Sequence, residues 1–518
     1  MKAIKPVLST RLVPAMLLLC ALPPPTPQAC AQGGVPLWTN CYNGPGNSND
    51  YAVAIAVDSG GSVFVTGYSR GNGTGYDYAT VAYSSAGMPL WTNYYSGPGT
   101  GDDYATGVAV NSAGKVFVTG YSDNGINDDF ATVAYSNSGV PLWTNRYEGP
   151  GRGFDLARAV AVDSSGSVFV TGESWGGIAY SYATIKYSGE GLALWTNRYR
   201  AGNTEDGAYA IAVDSGGNVY VAGNSAATNS FYDYATLAYS GAGVLLWTNR
   251  YNGPGNYHDG ANAIAADSNG NVFVTGLSNG PKDLPDYATV AYSSAGVPLW
   301  TNRYDGPGGR EDIASALAVD RSGNVFVTGN SVGTNPSPFF GADYATVAYS
   351  STGLPLWTNR YNGPTDSYDI ANAVGVDNSG NVFVTGYSHG IGGDLDYVTL
   401  AYSSAGVPLW TNCYNGPGNS DDYAVTLAVD RIGNVFVAGS SWNGSNYDYT
   451  TIKYSLIPPS IYLQTTSDHL VLSWTNSAFS LQSAEEVSGT FTNIPAATSP
   501  YTNAVTGLRQ YFRLQANY

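Results

Sequence analysis

Aspartate is the residue most regularly placed where this chain could do chemistry. One series, Asp50, Asp103, Asp155, Asp206, Asp259, Asp312, Asp369 and Asp422, opens a short apolar stretch every 51 to 57 residues. A second series, Asp77, Asp129, Asp233, Asp286, Asp343, Asp396 and Asp448, precedes another such stretch, with Ser181 in the remaining place. Carboxylates in this number could hold a cation, meet a basic partner, or work in pairs on a glycosidic bond. A ligand site used once need not recur in every copy, whereas an aspartate that hydrogen-bonds its own loop backbone would recur. The repetition therefore favours a structural role for the first series, and no spacing marks any acid pair as catalytic. A third series, running from Asp58 to Asp430, sits in Gly-containing hairpin turns and reads as structural.

Nucleophile–base chemistry finds little support. The three histidines are His258, His389 and His469. His258 lies in a turn beside Asp259, and no serine has an elbow setting of the G-x-S-x-G type. No catalytic residue and no metal ligand is assigned. The segment before each second-series aspartate varies most between copies and carries Trp175, Phe231, Tyr232, Phe339, Phe340, His389 and Trp442. Aromatics on polar loops suit sugar rings or peptide segments, so these seven are the candidate ligand-binding residues. They could equally fold back and plug their own loops.

Short strands must position these groups. Leu-Trp-Thr-Asn occurs eight times, at Trp38, Trp91, Trp143, Trp195, Trp247, Trp300, Trp357 and Trp410. Between successive tryptophans lie three further strand-like words, such as Asp103 to Val110, Val116 to Gly120 and Asp129 to Tyr135, joined by Gly-rich turns. Four strands in about 52 residues predict one antiparallel blade per repeat. The first Trp word precedes every other strand, and the eighth copy lacks its own. The expectation is an all-β, closed eight-bladed β-propeller in which the N-terminal strand completes the last blade, removing free edges. Alternating small residues such as Ala208, Ala210 and Ala212 suit innermost strands, and Trp suits the outermost.

The repeat Asp-x-Ala-x-x-Ile-Ala-Val-Asp-x-x-Gly-Asn-Val-Phe-Val-Thr-Gly, well preserved in Asp206 to Gly223 and Asp312 to Gly329, resembles the bacterial β-propeller repeat family labelled SBBP. The likeness covers residues 35–455. It implies a secreted or envelope protein, and the family's label implies seven blades where eight copies are counted here. It implies no catalytic residues. Tyr83 to Trp91 is also similar to the Gly-x-x-x-Trp strand pair of quinoprotein propellers, but no adjacent-cysteine pair or calcium-ligand cluster accompanies it, so no cofactor is expected.

The ends of the chain differ from the repeats. Lys2, Lys5 and Arg11, an apolar run from Leu12 to Leu22, and Ala29-Cys30-Ala31 make residues 1–31 an expected signal peptide. No other stretch could span a bilayer. Residues 32–455 form the propeller and 456–460 a linker. Residues 461–518 look like a small fibronectin-III-like β-sandwich. Formal net charge is −17, which argues against nucleic acid and anionic lipid as partners. Cys41 and Cys413 occupy the place where five copies carry Arg; on outer strands of neighbouring blades they stand too far apart to bridge, and two unpaired thiols are expected. The expected function is a secreted or envelope-exposed, monomeric, non-catalytic binding or adhesion scaffold whose partner is a glycan or envelope protein. An extracellular carbohydrate-active enzyme and a purely structural envelope protein are the alternatives.

Overall fold

The computed structural model describes residues 34–455, apart from 72–74, 203–204, 227–230 and 335–340, and most of 462–516. The expected signal peptide, the linker 456–460 and Phe339 and Phe340 lie outside the described residues. Among these residues there is no α-helix, hence no helix long and apolar enough to cross a membrane. The chain divides into two compact units, Cys30–Pro458 and one that includes Pro459–Tyr518.

The larger unit is eight four-stranded antiparallel sheets. Blades 1 to 7 run in order from Asp50 to Tyr95, Asp103 to Tyr147, Asp155 to Tyr199, Asp206 to Tyr251, Asp259 to Tyr304, Asp312 to Tyr361 and Asp369 to Tyr414. Blade 8 takes three strands from Asp422 to Ser455 and its fourth, Val35–Tyr42, from the other end of the chain, with Cys41 opposite Thr450. The first strand of each blade packs on the first strand of the next, and blade 1 packs on blade 8 in the same way. Each first strand shifts register by one residue after its buried Ala, as between Ala105 and Gly107, a bulge that turns it about the axis.

The second strand of each blade is held between its neighbours, and its Val-Phe-Val run (Val-Tyr-Val in blade 4) is buried on both sides. Phe64 of blade 1 meets Ala105, Val116, Val118 and Tyr135 of blade 2. The same packing brings Phe436 and Tyr449 of blade 8 onto Ala52, Val63 and Val65 of blade 1. In every blade but the second, where Phe130 stands, the third strand adds a fully buried tyrosine whose hydroxyl donates to a carbonyl of the following blade: Tyr78 to Ala131 at 3.2 Å, Tyr234 to Ala288 at 3.2 Å, and Tyr449 to Ala79 at 3.2 Å. A buried phenol needs this partner, because an unmet hydroxyl costs about 1–3 kcal/mol.

The Trp word bridges blades. Trp91 Nε1 donates to Asn137 O in blade 2 at 2.8 Å, and Asn93 donates to Gly139 O at 2.7 Å. The indole covers a turn glycine of positive φ, here Gly139 at 81°, where a side chain would strike the ring. Blade 8 has no such turn. Gly34, just before the N-terminal strand, takes its place: Asn412 donates to Gly34 O at 2.7 Å and the Trp410 ring lies where a Gly34 side chain would go.

The expectation of two unpaired thiols is corrected. Cys41 is free, but Cys413 is disulfide-bonded. The distance argument excluded only a Cys41–Cys413 bridge, and it did not bear on other partners for Cys413.

The smaller unit holds two three-stranded sheets. One pairs Tyr462–Thr465, His469–Ser473 and Tyr501–Ala504; the other pairs Thr492–Asn493, Phe479–Ala484 and Tyr511–Ala516. Leu472, Trp474 and Leu481 are buried.

Candidate binding face

In every blade the loop entering the first strand and the loop joining the second to the third emerge at the same end. The first aspartate series fixes both loops there. Asp155 Oδ2 accepts from Gly149 N at 2.6 Å and its Oδ1 from Trp175 N at 3.0 Å, so one carboxylate clamps the two loops together. The other members accept from the equivalent amide, for example Asp50 from Gly44 and Asp369 from Gly363, both at 2.6 Å. All eight are buried at the base of this face. Burial is the largest influence on their protonation and raises their pKa above the ordinary carboxylate value, against the hydrogen bonds, to about 6 in Asp312 and Asp369.

The second series meets the arginines of the outer strands. Arg146 donates from Nη1 to Ser122 Oγ at 2.6 Å and to Tyr95 Oη of blade 1 at 3.1 Å, and from Nη2 to Ser122 O at 2.7 Å and Asp129 at 3.1 Å. Arg250–Asp233, Arg303–Asp286 and Arg360–Asp343 repeat the ion pair at 2.8, 2.6 and 2.7 Å. In blade 3, where Ser181 replaces the aspartate, Arg198 still holds Ser174 and Tyr147. Planar guanidinium suits this four-way bridge between strands and blades. Sequence reasoning missed it, although a constant spacing of 17 residues from Asp to Arg was present to be read.

Blades 7, 8 and 1 are consecutive around the ring and lack that arginine. Cys413, Cys41 and Tyr94 stand in its place. Tyr94 Oη instead lies 2.5 Å from Tyr42 Oη of blade 8. Asp448 accepts from Asn443 at 2.8 Å. Asp396 is pushed up to about 7, first by burial and then by Asp422, Asp394 and Asp421.

Over these same blades runs an arc of half-exposed tyrosines. Tyr387 of blade 7 meets Tyr423 of blade 8 with ring centroids 5.2 Å apart, and Tyr423 meets Tyr447 at 6.0 Å. Tyr447 meets Tyr51 of blade 1 at 5.8 Å, and Tyr51 meets Tyr68 at 5.2 Å and Tyr76 at 6.3 Å. Tyr68 meets Tyr104 of blade 2 at 4.8 Å, which meets Tyr121 at 5.3 Å. Carboxylates orient two of the phenols: Tyr104 donates to Asp102 at 2.9 Å and Tyr423 to Asp421 at 3.2 Å. Arg70 stands 5.8 Å from the Tyr76 ring and Arg158 of blade 3 stands 5.9 Å from the Tyr121 ring. In blades 3 to 7 the place of Tyr51, Tyr104 and Tyr423 is held by Leu156, Gly207, Gly260, Ile313 and Ile370.

Residues 247–285 and 306–335 match the family described as Beta-propeller repeat, SBBP. The chain carries SBBP repeats. No curated protein matches it. Among solved structures, Sqt1 from Chaetomium thermophilum is 12% identical with a TM-score of 0.47, over 80% of this chain and 99% of that one. A eukaryotic initiation factor is 12% identical with a TM-score of 0.35, over 60% of this chain and 65% of that one.

On the SBBP frame the loop aromatics fold onto nearby loops. Trp175 packs against Tyr180 at 5.2 Å and fills the space left by Gly151 and Gly153. Trp442 packs against Tyr447 at 5.2 Å and on Gly418. Phe231 and Tyr232 rest on His258, at 5.2 and 5.6 Å. His389 Nδ1 lies 3.1 Å from Gly393 O. These residues are spread around the ring and do not converge on one another, although Trp442 touches the tyrosine arc through Tyr447. Among the described residues, Asp286, Asp305 and Asp312 bring three carboxylates within 4.8 Å of one another. Arg303 already holds Asp286, and Gly306 N donates to Asp312 at 2.5 Å.

Proposed function

We propose that this SBBP propeller is a secreted or envelope-exposed binding scaffold, without catalytic activity, that engages a glycan or envelope protein through its loop face. One observation carries the reading. The residue that ends the second strand lies at the loop face in all eight blades and is Arg70, Asp123, Trp175, Ala226, Asn279, Val332, His389 and Trp442 in turn. A few residues earlier in the same strand, the blades share a buried Val and a Gly. A rigid invariant frame carrying side chains that differ around one rim is how a scaffold displays a specific surface.

The test is direct binding of the purified protein to arrays of glycans, envelope polysaccharides and peptides, beside the Trp175→Ala/Trp442→Ala double variant. A saturable ligand whose affinity falls at least about tenfold in the variant supports the reading. Hydrolysis of any glycan on the array would overturn the non-catalytic part of it.

A further inference from the structure

We infer that the ligand-binding part of this face is the tyrosine arc of blades 7, 8, 1 and 2, and that it takes an extended basic peptide segment. The inference rests on the scaffold reading above and narrows it to one sector and one ligand chemistry.

Three observations meet in this sector. The rings form an unbroken series across four blades, each half exposed, with neighbouring centroids between 4.8 and 6.3 Å. A phenol ring offers an apolar, electron-rich face and attracts a cation placed over it. A phenol that donates to a carboxylate has a still richer ring, as with Tyr104 on Asp102 and Tyr423 on Asp421.

The chain itself shows which ligand groups these rings accept. Arg70 and Arg158 bring guanidinium groups to Tyr76 and Tyr121, within the distance at which ring and cation attract. Arg158 is anchored by Glu173 at 3.0 Å, at the blade 3 end of the arc. The other rings of the arc have no such cation from the chain among the described residues.

The third observation is electrostatic. Blades 7, 8 and 1 keep the second-series aspartate but have lost the arginine that meets it in blades 2, 4, 5 and 6. Asp102 and Asp421 add negative charge at the rim. In a chain of formal net charge −17, this sector lacks the frame arginine that the other five blades carry. Such a surface steers a basic ligand toward it. A neutral sugar would gain nothing from the missing arginines. A single small cation would use one or two rings and leave the rest of the arc idle; a strand of several Lys or Arg residues matches its length across four blades.

The test uses the full chain and a fluorescent hexa-arginine peptide, with hexa-glutamate and neutral oligosaccharides as comparisons, at about 0.15 M salt to screen distant charges. Saturable binding of hexa-arginine alone is expected. Tyr51→Leu/Tyr423→Leu should weaken it at least about tenfold, while Tyr51→Phe/Tyr423→Phe, which keeps the rings, should hold it within about threefold. Asp102→Asn/Asp421→Asn should weaken binding and flatten its salt dependence. Tyr257→Leu, on the other side of the ring, should leave it unchanged. Unfolding curves of every variant, with the Phe and Asn pairs, separate lost binding from lost fold. Equal binding by the Tyr→Leu pair would overturn the inference, because net charge alone would then suffice. Binding of a neutral glycan that needs Trp175 or Trp442, with none of hexa-arginine, would overturn it and leave the scaffold standing. No ligand at the face at all would overturn both.

Discussion

Blades 2 to 6 and blades 7, 8 and 1 share one backbone plan and differ in how their charges are met. In the first group an arginine on the outer strand gathers a serine, a neighbouring tyrosine and, except in blade 3, an aspartate. In the second group the aspartate stays and the arginine is gone. The sheets are equally regular on both sides, so the ion pair is not what makes a blade. The blade is made by its buried Val-aromatic-Val run, the buried aromatic ring of its third strand and its Trp bridge. The arginine network is an addition that braces neighbouring blades, and the sector without it carries the aromatic surface instead. A repeat protein thus separates the residues that fold it from those that can vary around the ring.

The largest effect is expected from breaking the brace where it exists. Arg303→Ala leaves the half-buried carboxylate of Asp286 and the hydroxyls of Ser278 and Tyr251 without their shared donor. A loss of about 2 kcal/mol is expected, below the value for a wholly buried pair because both groups keep some contact with water. Arg303→Ala/Asp286→Ala should recover part of it. Denaturant unfolding of the three proteins measures this. A negligible loss for Arg303→Ala would mean that the brace is decorative and that the two groups of blades do not differ in stability.

The opposite change, building the brace where it is missing, should have a smaller effect. Cys41→Arg places a guanidinium opposite Asp448 on a backbone that already has the register of the other blades, since Cys41 pairs with Thr450 as Arg146 pairs with Ala131. A gain of about 1 kcal/mol is expected. The same substitution adds positive charge beside the tyrosine arc and should weaken any basic ligand there. A stabilised protein with weakened ligand would show that the absence of arginine in this sector serves binding at a cost in stability.

The fold was legible because its signals are local and recur. Leu-Trp-Thr-Asn, Val-Phe-Val-Thr-Gly and the Gly turns each report a strand or hairpin within a few residues, and eight copies make the count secure. The N-terminal position of the first Trp word pointed to its pairing in blade 8. The face was legible only in part. The buried carboxylate clamps follow from Asx-type loop chemistry, and their repetition pointed to them. The loop aromatics were found as residues but their packing was not, because Trp175 and Trp442 rest on glycines some two dozen residues earlier. The tyrosine arc was harder still. Tyr447, Tyr51 and Tyr68 come from three strands in two blades, one near each end of the chain, and nothing local in the sequence says that they touch. The absence of Arg was read at Cys41 and Cys413; what went unread was that the three copies without it are neighbours once the ring is formed.

The smallest effect concerns pH. Asp396 in the sector without arginine is pushed up to about 7, with burial as the main cause and three nearby aspartates adding to it. Its unfolded value is the ordinary one near 3.8. Between these values the folded chain binds more protons than the unfolded chain, so stability falls as pH rises through this window. Asp312 and Asp369, at about 6, act in the same direction over a narrower range. The unfolding midpoint should therefore climb as pH is lowered from 8 toward 5. Asp396→Asn should flatten that climb and raise stability at pH 8 by an amount of order 1 kcal/mol, reduced by the partial exposure of the group. Asp343→Asn makes the matched comparison. Burial raises Asp343 as well, but Arg360 opposes the rise, so this variant should flatten the climb less. Parallel pH profiles for the two variants would show that the arginine does not decide how these aspartates behave, and would remove the electrostatic distinction between the two groups of blades.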